Sequence, residues 1–178
     1  MRSKTRDICY IGIFVAVIAI CAQLSIPQPG GVPFSLQAWA VALSGIVLGA
    51  RRGAIAAAVY VLLGFAGAPI FVGFAGGAGM IMRPTAGFLF SFPILAYLAG
   101  RGADTNKIYL AALGIMAGAV INFAVGMLFF SWVLSLGLVA SFGYAVLPFI
   151  IPAVVKSFVL PLVGKSIKIA LKKSGLQL

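Results

Sequence analysis

The feature that most constrains the fold is a series of long apolar segments, separated by short loops that are basic or rich in glycine. Six of these segments approach the length of a membrane crossing, which takes about 17–25 mostly apolar residues in a helix. Hydrophobic residues make up 63% of the 178 residues, and charged residues only 8%. Because the apolar runs are continuous rather than alternating, they favour helices over the strands of a membrane barrel. The sequence predicts an all-α integral membrane protein, with one six-helix transmembrane domain over residues 1–178.

The six predicted crossings follow one another without a long polar insertion. In chain order they cover about residues 8–24, 34–50, 53–71, 85–100, 108–128 or 134, and 144 or 148–163, and a basic amphipathic tail follows at 165–173. The basic start followed by an apolar run is also typical of a secretory signal peptide. No small-x-small cleavage motif follows that run, which favours a first transmembrane helix.

The basic residues predict the orientation of the helices. Lys and Arg number 13, and the positive-inside rule places them in cytoplasmic loops. With the N-terminus inside, all but two of them fall on the cytoplasmic side: Arg2, Lys4, Arg6, Arg51, Arg52, Arg101, Lys107, Lys165, Lys168, Lys172 and Lys173. Both termini are therefore predicted to be cytoplasmic. The net charge of +11 is explained by membrane orientation, and no nucleic-acid partner is predicted.

The two remaining cations are Arg83, predicted at the outer mouth, and Lys156, in the middle of the sixth apolar segment. A charged lysine at the centre of a bilayer costs about 3 kcal/mol on insertion scales, so an intramembrane amine indicates a functional site. The only acids are Asp7 and Asp104, both predicted cytoplasmic, so neither can neutralise Lys156. An anionic ligand is the simplest counter-charge.

Further polar residues are predicted at the outer half of the bundle. They are Ser35, Gln37, Thr85, Asn122 and Tyr144. Buried Asn, Gln and Thr commonly bond across transmembrane helices, so each residue alone could serve packing. Their convergence with an unpaired lysine favours a ligand pocket. The glycine-rich loop over residues 72–79 is either a connector or a lid over that pocket.

Catalysis is disfavoured. The chain has no histidine, and its two carboxylates are far apart in sequence, so no acid–base pair, triad or metal site is predicted. No Gly-x4-Gly-Lys-Ser/Thr loop is present, so this chain is not expected to hydrolyse ATP. No cofactor is predicted.

The first helix carries a face of small residues, Gly12, Ala16 and Ala19. Small residues allow close approach between transmembrane helices. This face could pack within the chain or dock on another membrane protein, and the sequence alone leaves both readings open.

Four parts of the chain carry a specific pattern. They are Pro-Phe-Ser-Leu-Gln at 33–37, Gly-x3-Gly-Ala-Arg-Arg-Gly at 45–53, Gly76-Gly77 followed by Arg-Pro-Thr-Ala-Gly-Phe at 83–88, and the lysine-bearing sixth helix. Together they resemble the BioY family, the biotin-binding substrate subunits of energy-coupling-factor (ECF) transporters. The resemblance implies six helices in the plasma membrane of a prokaryote and an outward-facing biotin pocket gated by loops. It also implies that the first helix docks on a membrane scaffold subunit carrying two ATP-binding-cassette ATPases.

The resemblance also implies roles for the candidate residues. Lys156 or Arg83 would hold the biotin carboxylate, and Gln37, Thr85 and Asn122, with Ser35 nearby, would serve the ureido group. Many family members carry Asp three residues before this lysine, where this chain has Ala153. Two alternatives stay open at this stage: a subunit for another vitamin such as thiamine, and a structural membrane protein without a small ligand.

Overall fold

A computed structural model describes residues 2–105 and 107–173. Within them the protein is all-α apart from one short hairpin, as predicted. The helices are α1 (Arg2–Gln23), α2 (Gln37–Leu48), α3 (Ala50–Phe65), α4 (Ala86–Phe90), α5 (Phe92–Ala103), α6 (Ile108–Leu134), α7 (Leu138–Ala145) and α8 (Ile150–Lys173). Short 3-10 turns lie at Val72–Phe74, Ala78–Met82 and Leu147–Phe149.

Three helical stretches in the described residues are long and apolar enough to cross a membrane. They are Lys4–Gln23, Ile108–Leu134 and Leu138–Lys173. The helix α2 is apolar but shorter, with 12 residues. Length and composition therefore identify a membrane protein, and the shorter helices pack among the long ones.

Several predicted boundaries differ from the observed ones, each for a local reason. The predicted crossing at 34–50 begins with an extended pair, β2 (Phe34–Ser35), which is antiparallel to β1 (Ser25–Ile26). The crossing predicted to end at residue 71 stops at Phe65, because Gly67 adopts a φ of +116° and Pro69 disfavours helix in the residue before it. The crossing predicted at 85–100 is interrupted at Ser91, because Pro93 cannot donate a helical hydrogen bond.

Of the last two crossings, only the sixth extends beyond its predicted end. The fifth continues to Leu134, the longer of its two predicted ends, and stops where Ser135 turns left-handed with a φ of 52°. The sixth is preceded by the separate helix α7 and begins at Ile150. The predicted basic tail at 165–173 is the continuation of α8 rather than a separate element.

The centre of the bundle is α5, which packs against α2, α3 and α6. Its inward residues Leu95, Ala96 and Ala99 are fully buried. The close contact between α2 and α5 requires glycine at position 45, because a Cβ on Gly45 of α2 would overlap the carbonyl oxygen of Ala96 in α5. Small residues thus allow α2 and α5 to pack closely. This is usual in a membrane, where the hydrophobic effect does not drive helices together.

The two acids lie at one end of the bundle together with most of the cations. Asp7 pairs with Arg52 at 3.4 Å, and an Asp104 carboxylate oxygen accepts a hydrogen bond from the Ala50 N–H at 3.4 Å. This end, which also holds the last turns of α5 and α8, is called the basic end below. It contains the start of α1, the α2–α3 junction and the α5–α6 connection.

We expect Gly45→Ala to destabilise the protein by about 1–3 kcal/mol, because the added methyl group has no room against the α5 backbone. The measurement is unfolding of the purified protein in detergent. The matched control is Gly12→Ala, where an added Cβ meets nothing within 4 Å and should leave stability unchanged or slightly raised. Equal stability of the two variants would contradict tight α2–α5 packing.

Candidate functional site

A cavity of about 400 Å³ lies at the opposite end of the bundle from the basic end. Its walls come from α2, the α4–α5 pair, α6 and α8, and it is covered by the hairpin and by the loop between α3 and α4. Six of the seven polar residues predicted at the outer half line it: Ser35, Gln37, Arg83, Thr85, Asn122 and Lys156. Tyr144 is exposed and does not line it. Residues separated by up to 121 positions in the chain are therefore brought to one site by the helix packing.

The most buried charge in the cavity is the amine of Lys156, on the second turn of α8. The residue is 4% exposed. Its ammonium makes no hydrogen bond or ion pair with any residue in 2–105 or 107–173. Both acids of the chain are held at the basic end, so the prediction that neither reaches Lys156 is confirmed. Ala153, one turn earlier, also lines the cavity and brings no acceptor.

Gln37, at the start of α2, presents a carbonyl oxygen to the cavity. Its Nε2 donates to the Tyr60 hydroxyl at 2.7 Å, and that hydroxyl donates to the Ile70 carbonyl oxygen at 2.9 Å. Because the Tyr60 proton is committed to Ile70, the tyrosine oxygen can only accept from the amide. The Oε1 atom of Gln37 is left as a hydrogen-bond acceptor that no described residue occupies.

Asn122, in the middle of α6, is oriented in the same way. Its Nδ2 donates to the Phe88 carbonyl oxygen at 2.9 Å and to the Ser91 hydroxyl at 2.7 Å. A carbonyl can only accept, so the amide nitrogen must face Phe88. The interruption of helix at Ser91 thus supplies both partners, and the Oδ1 atom of Asn122 accepts no hydrogen bond from the described part of the chain.

The other three predicted residues lie nearer the surface. Arg83 is exposed, and its backbone N–H closes a turn on the Met80 carbonyl oxygen at 3.1 Å. Thr85 and Ser35 are half-buried. The side chains of these three form no hydrogen bond within residues 2–105 and 107–173, so they remain available at the mouth of the cavity.

Aromatic rings form much of the remaining wall, and the sequence reasoning did not single them out. They are Phe34, Trp39, Phe71, Phe88, Phe92, Phe123 and Phe149. Phe34 and Phe149 stack with their ring centroids 6.4 Å apart, which joins the hairpin to the start of α8. Their position next to the polar candidates was the only available signal, and aromatic residues are too common in membrane segments for that signal to stand out.

The loop between α3 and α4, which contains the glycine-rich stretch, lies beside the cavity, with Phe71, Val72 and Met80 lining it. The Gly77 N–H donates to the Gly64 carbonyl oxygen at 2.7 Å, and Phe71 pairs with Ala75 across a tight turn. These bonds place Phe71 and Met80 against the cavity, where both are buried. Movement of this loop as a lid stays a prediction.

The small-residue face of α1 lies mostly outside the bundle. Gly12 and Ala16 are exposed, and a Cβ on Gly12 would meet nothing within 4 Å. Ala19 is half-buried and packs against the core. Packing within the chain therefore explains Ala19 and leaves the other two uncovered.

The arrangement suits a ligand that is largely apolar, carries an anionic group and has N–H groups to donate. Aromatic walls provide the apolar contacts, buried amide oxygens accept hydrogen bonds, and two cations supply charge-assisted donors. Among the described residues, no group of three or more His, Cys, Asp or Glu side chains could hold a metal ion.

The whole fold matches that of a solved membrane transport component. The chain superposes with a TM-score of 0.84 on the crystal structure of the S-component for biotin from an ECF-type ABC transporter, covering 94% of this chain and 93% of that one. The two sequences are 22% identical, so the match defines the fold class, that of an S-component.

The sequence comparisons define the family. A sequence model of the BioY family matches residues 1–173, and the chain belongs to the BioY family. It is 35% identical to the probable biotin transporter BioY of Pyrococcus horikoshii, over 86% of this chain and 91% of that protein. It is also 43% identical to the biotin transporter BioY of Thermotoga maritima, over 68% of this chain and 72% of that protein. The resemblance inferred from the sequence motifs is confirmed.

We expect Tyr60→Phe to lower the unfolding free energy by about 1–3 kcal/mol, because the buried Gln37 amide and the Ile70 carbonyl each lose a partner. Thermal unfolding in detergent measures the loss. Tyr109→Phe is the control, since that tyrosine is 59% exposed and its hydroxyl makes no hydrogen bond in the described chain. If the Tyr60 variant were as stable as the Tyr109 control, the hydrogen bond that orients Gln37 would be contradicted.

Proposed function

We propose that this chain is the biotin-binding substrate subunit, or S component, of an ECF vitamin uptake transporter. The observation that carries the proposal is the cavity with an unpaired buried ammonium in a member of the BioY family. The chain binds biotin at the outer side of the membrane and delivers it inward together with ATPase partners. It performs no chemical reaction on its ligand.

The chemistry of biotin matches the cavity group by group. The fused bicycle is apolar and suits the aromatic wall. The ureido N–H groups can donate to the free amide oxygens of Gln37 and Asn122, with Thr85 and Ser35 as further polar contacts at the mouth. Lys156 and Arg83 supply charge-assisted donors for the ureido oxygen and the carboxylate. A cationic vitamin such as thiamine would meet an uncompensated positive charge.

We propose six membrane crossings with both termini in the cytoplasm, in one domain over residues 1–178. The helices that would make these crossings are α1, α2, α3, the α4–α5 pair, α6 and α8, and the positions of the basic end and the cavity support this assignment. A cytoplasmic basic end agrees with the positive-inside rule. The compartment is the plasma membrane of a prokaryotic cell, and the cavity then opens outward.

The match to the S-component of an ECF-type ABC transporter supports ATPase partners for this chain. The chain has no phosphate-binding loop of the ATPase type, so a transporter containing it needs other subunits to hydrolyse ATP. We propose a membrane scaffold subunit, the T subunit, and two ABC-type ATPases. The uncovered Gly12 and Ala16, continued by Ala19, offer α1 as the docking face.

Binding of biotin to the purified full-length protein, measured by isothermal titration, tests the function directly. We expect Lys156→Gln to weaken binding roughly tenfold or more, because one charge-assisted contact is lost. Lys165→Gln is the matched control, an exposed lysine on the same helix outside the cavity, and should bind as the wild type does.

The methyl ester of biotin shows which end of the ligand Lys156 contacts. Loss confined to the free acid assigns Lys156 to the carboxylate, and equal loss on acid and ester assigns it to the ureido oxygen. Absence of heat with biotin at micromolar concentration, in a folded protein, rejects the proposed function. Unchanged affinity of the Lys156 variant rejects the role of the amine.

Single-cysteine labelling checks the six crossings. In a background with Cys9 and Cys21 replaced by alanine, Gly137→Cys should react with a membrane-impermeant maleimide on intact cells. Lys107→Cys should react only after the membrane is permeabilised. Both positions are exposed and lie at opposite ends of α6, so labelling of both from outside would contradict the topology.

A further inference from the structure

A second recess, of about 870 Å³, lies at the basic end, far from the biotin cavity. Its charged and phenolic lining residues are Arg51, Arg52, Tyr97, Arg101, Asp104, Lys168 and Lys172, and these residues are called the basic recess below. We propose that the basic recess binds the phosphate group of an anionic membrane lipid. This inference does not depend on biotin as the ligand of the other cavity.

The basic recess has an excess of positive charge that the described chain does not neutralise. Five lysine and arginine residues face one carboxylate, that of Asp104, which already accepts a hydrogen bond from the Ala50 N–H. Only Arg52 has an ion pair among the described residues, with Asp7 at 3.4 Å. Bringing like charges together is unfavourable, so the arrangement calls for an anion.

Orientation in the membrane does not by itself explain this convergence. The positive-inside rule requires cations near this end but does not require them to share one concave surface. Lys165 and Lys173 show the alternative, because both are exposed on α8 and neither lines the recess. Lys168 and Lys172 instead line the same recess as arginines from α3 and α5, so three helices contribute cations.

The chemistry of the recess fits a phosphate. Arginine presents paired N–H donors that match phosphate oxygens, and lysine adds a point charge at variable reach. Arg51, Arg101 and Lys172 are exposed, so a headgroup can approach them without rearrangement of the core.

A lipid is favoured over a free anion because the recess combines charge with apolar walls at the membrane surface. Val47 and Leu48, the last two residues of α2, form its inner side. Tyr97, 42% exposed, has the amphipathic ring that is enriched at membrane–water interfaces. The cytoplasmic leaflet is rich in anionic lipids that attract clustered basic residues next to membrane helices.

The test uses the full-length protein, with thermal unfolding in detergent as the measure of correct folding. Native mass spectrometry would compare retention of phosphatidylglycerol and phosphatidylcholine by the wild type, by K168Q/K172Q and by K165Q/K173Q. The two double variants remove the same charge from the same helix. We expect K168Q/K172Q to retain roughly tenfold less phosphatidylglycerol, since two phosphate contacts are lost, and K165Q/K173Q to retain nearly as much as the wild type. Arg101→Gln, on another helix, should weaken retention in the same direction.

Three results would overturn the proposal. Equal loss in both double variants would mean general attraction to a basic surface. Tight binding of inorganic phosphate, with no preference for phosphatidylglycerol, would make the recess a site for small anions. Unchanged lipid retention with reduced association of transporter subunits would assign the recess to a protein partner. None of these outcomes affects biotin binding, so failure here is distinguishable from failure of the proposed function.

Discussion

The constraint on which the structure depends is the separation of one buried amine from both acids of its own chain. Asp7 and Asp104 are held at the basic end by Arg52 and by the start of α3, about a membrane leaflet or more away from Lys156 along α8. An unpaired ammonium in an apolar surrounding is costly, so it persists only where a wet cavity or a ligand receives it. The rest of the fold supplies that cavity: amide oxygens held outward by Tyr60 and Ser91, and a wall of aromatic rings.

This arrangement also explains how a small bundle can maintain polar groups in a membrane. Each side-chain amide in the cavity donates its N–H group to a fixed acceptor. The acceptor is either a backbone carbonyl or a hydroxyl whose own proton is already donated elsewhere. The acceptor oxygen then faces the cavity at little cost in conformational freedom. Glycine contacts between α2 and α5 fix the positions of the helices that carry these groups. Preorganised acceptors of this kind favour a ligand with several N–H groups over one that is only anionic.

The sequence predicted residues that line the cavity more closely than it predicted the elements around them. Lys156, Asn122 and Gln37 could be placed because a polar residue in an apolar helix must face inward, and helix length fixes its depth. The hairpin and the interruption at Ser91 could not, because both depend on local backbone geometry around Pro33 and Pro93 that hydropathy does not record. The separate helix α7 and the aromatic wall were not predicted either, because their composition is that of any apolar segment.

One row of residues on α8 joins the two ends of the molecule. Lys156, Leu160, Gly164, Lys168 and Lys172 follow at four-residue spacing, and because each step turns about 40° further around the helix, the row winds from the cavity side to the side of the basic recess. Pro161 stands between them and has no N–H to continue the hydrogen-bond ladder. The hydrogen-bond ladder of α8 therefore lacks one bond between the cavity and the basic recess, so a bend in this helix would cost least at that turn.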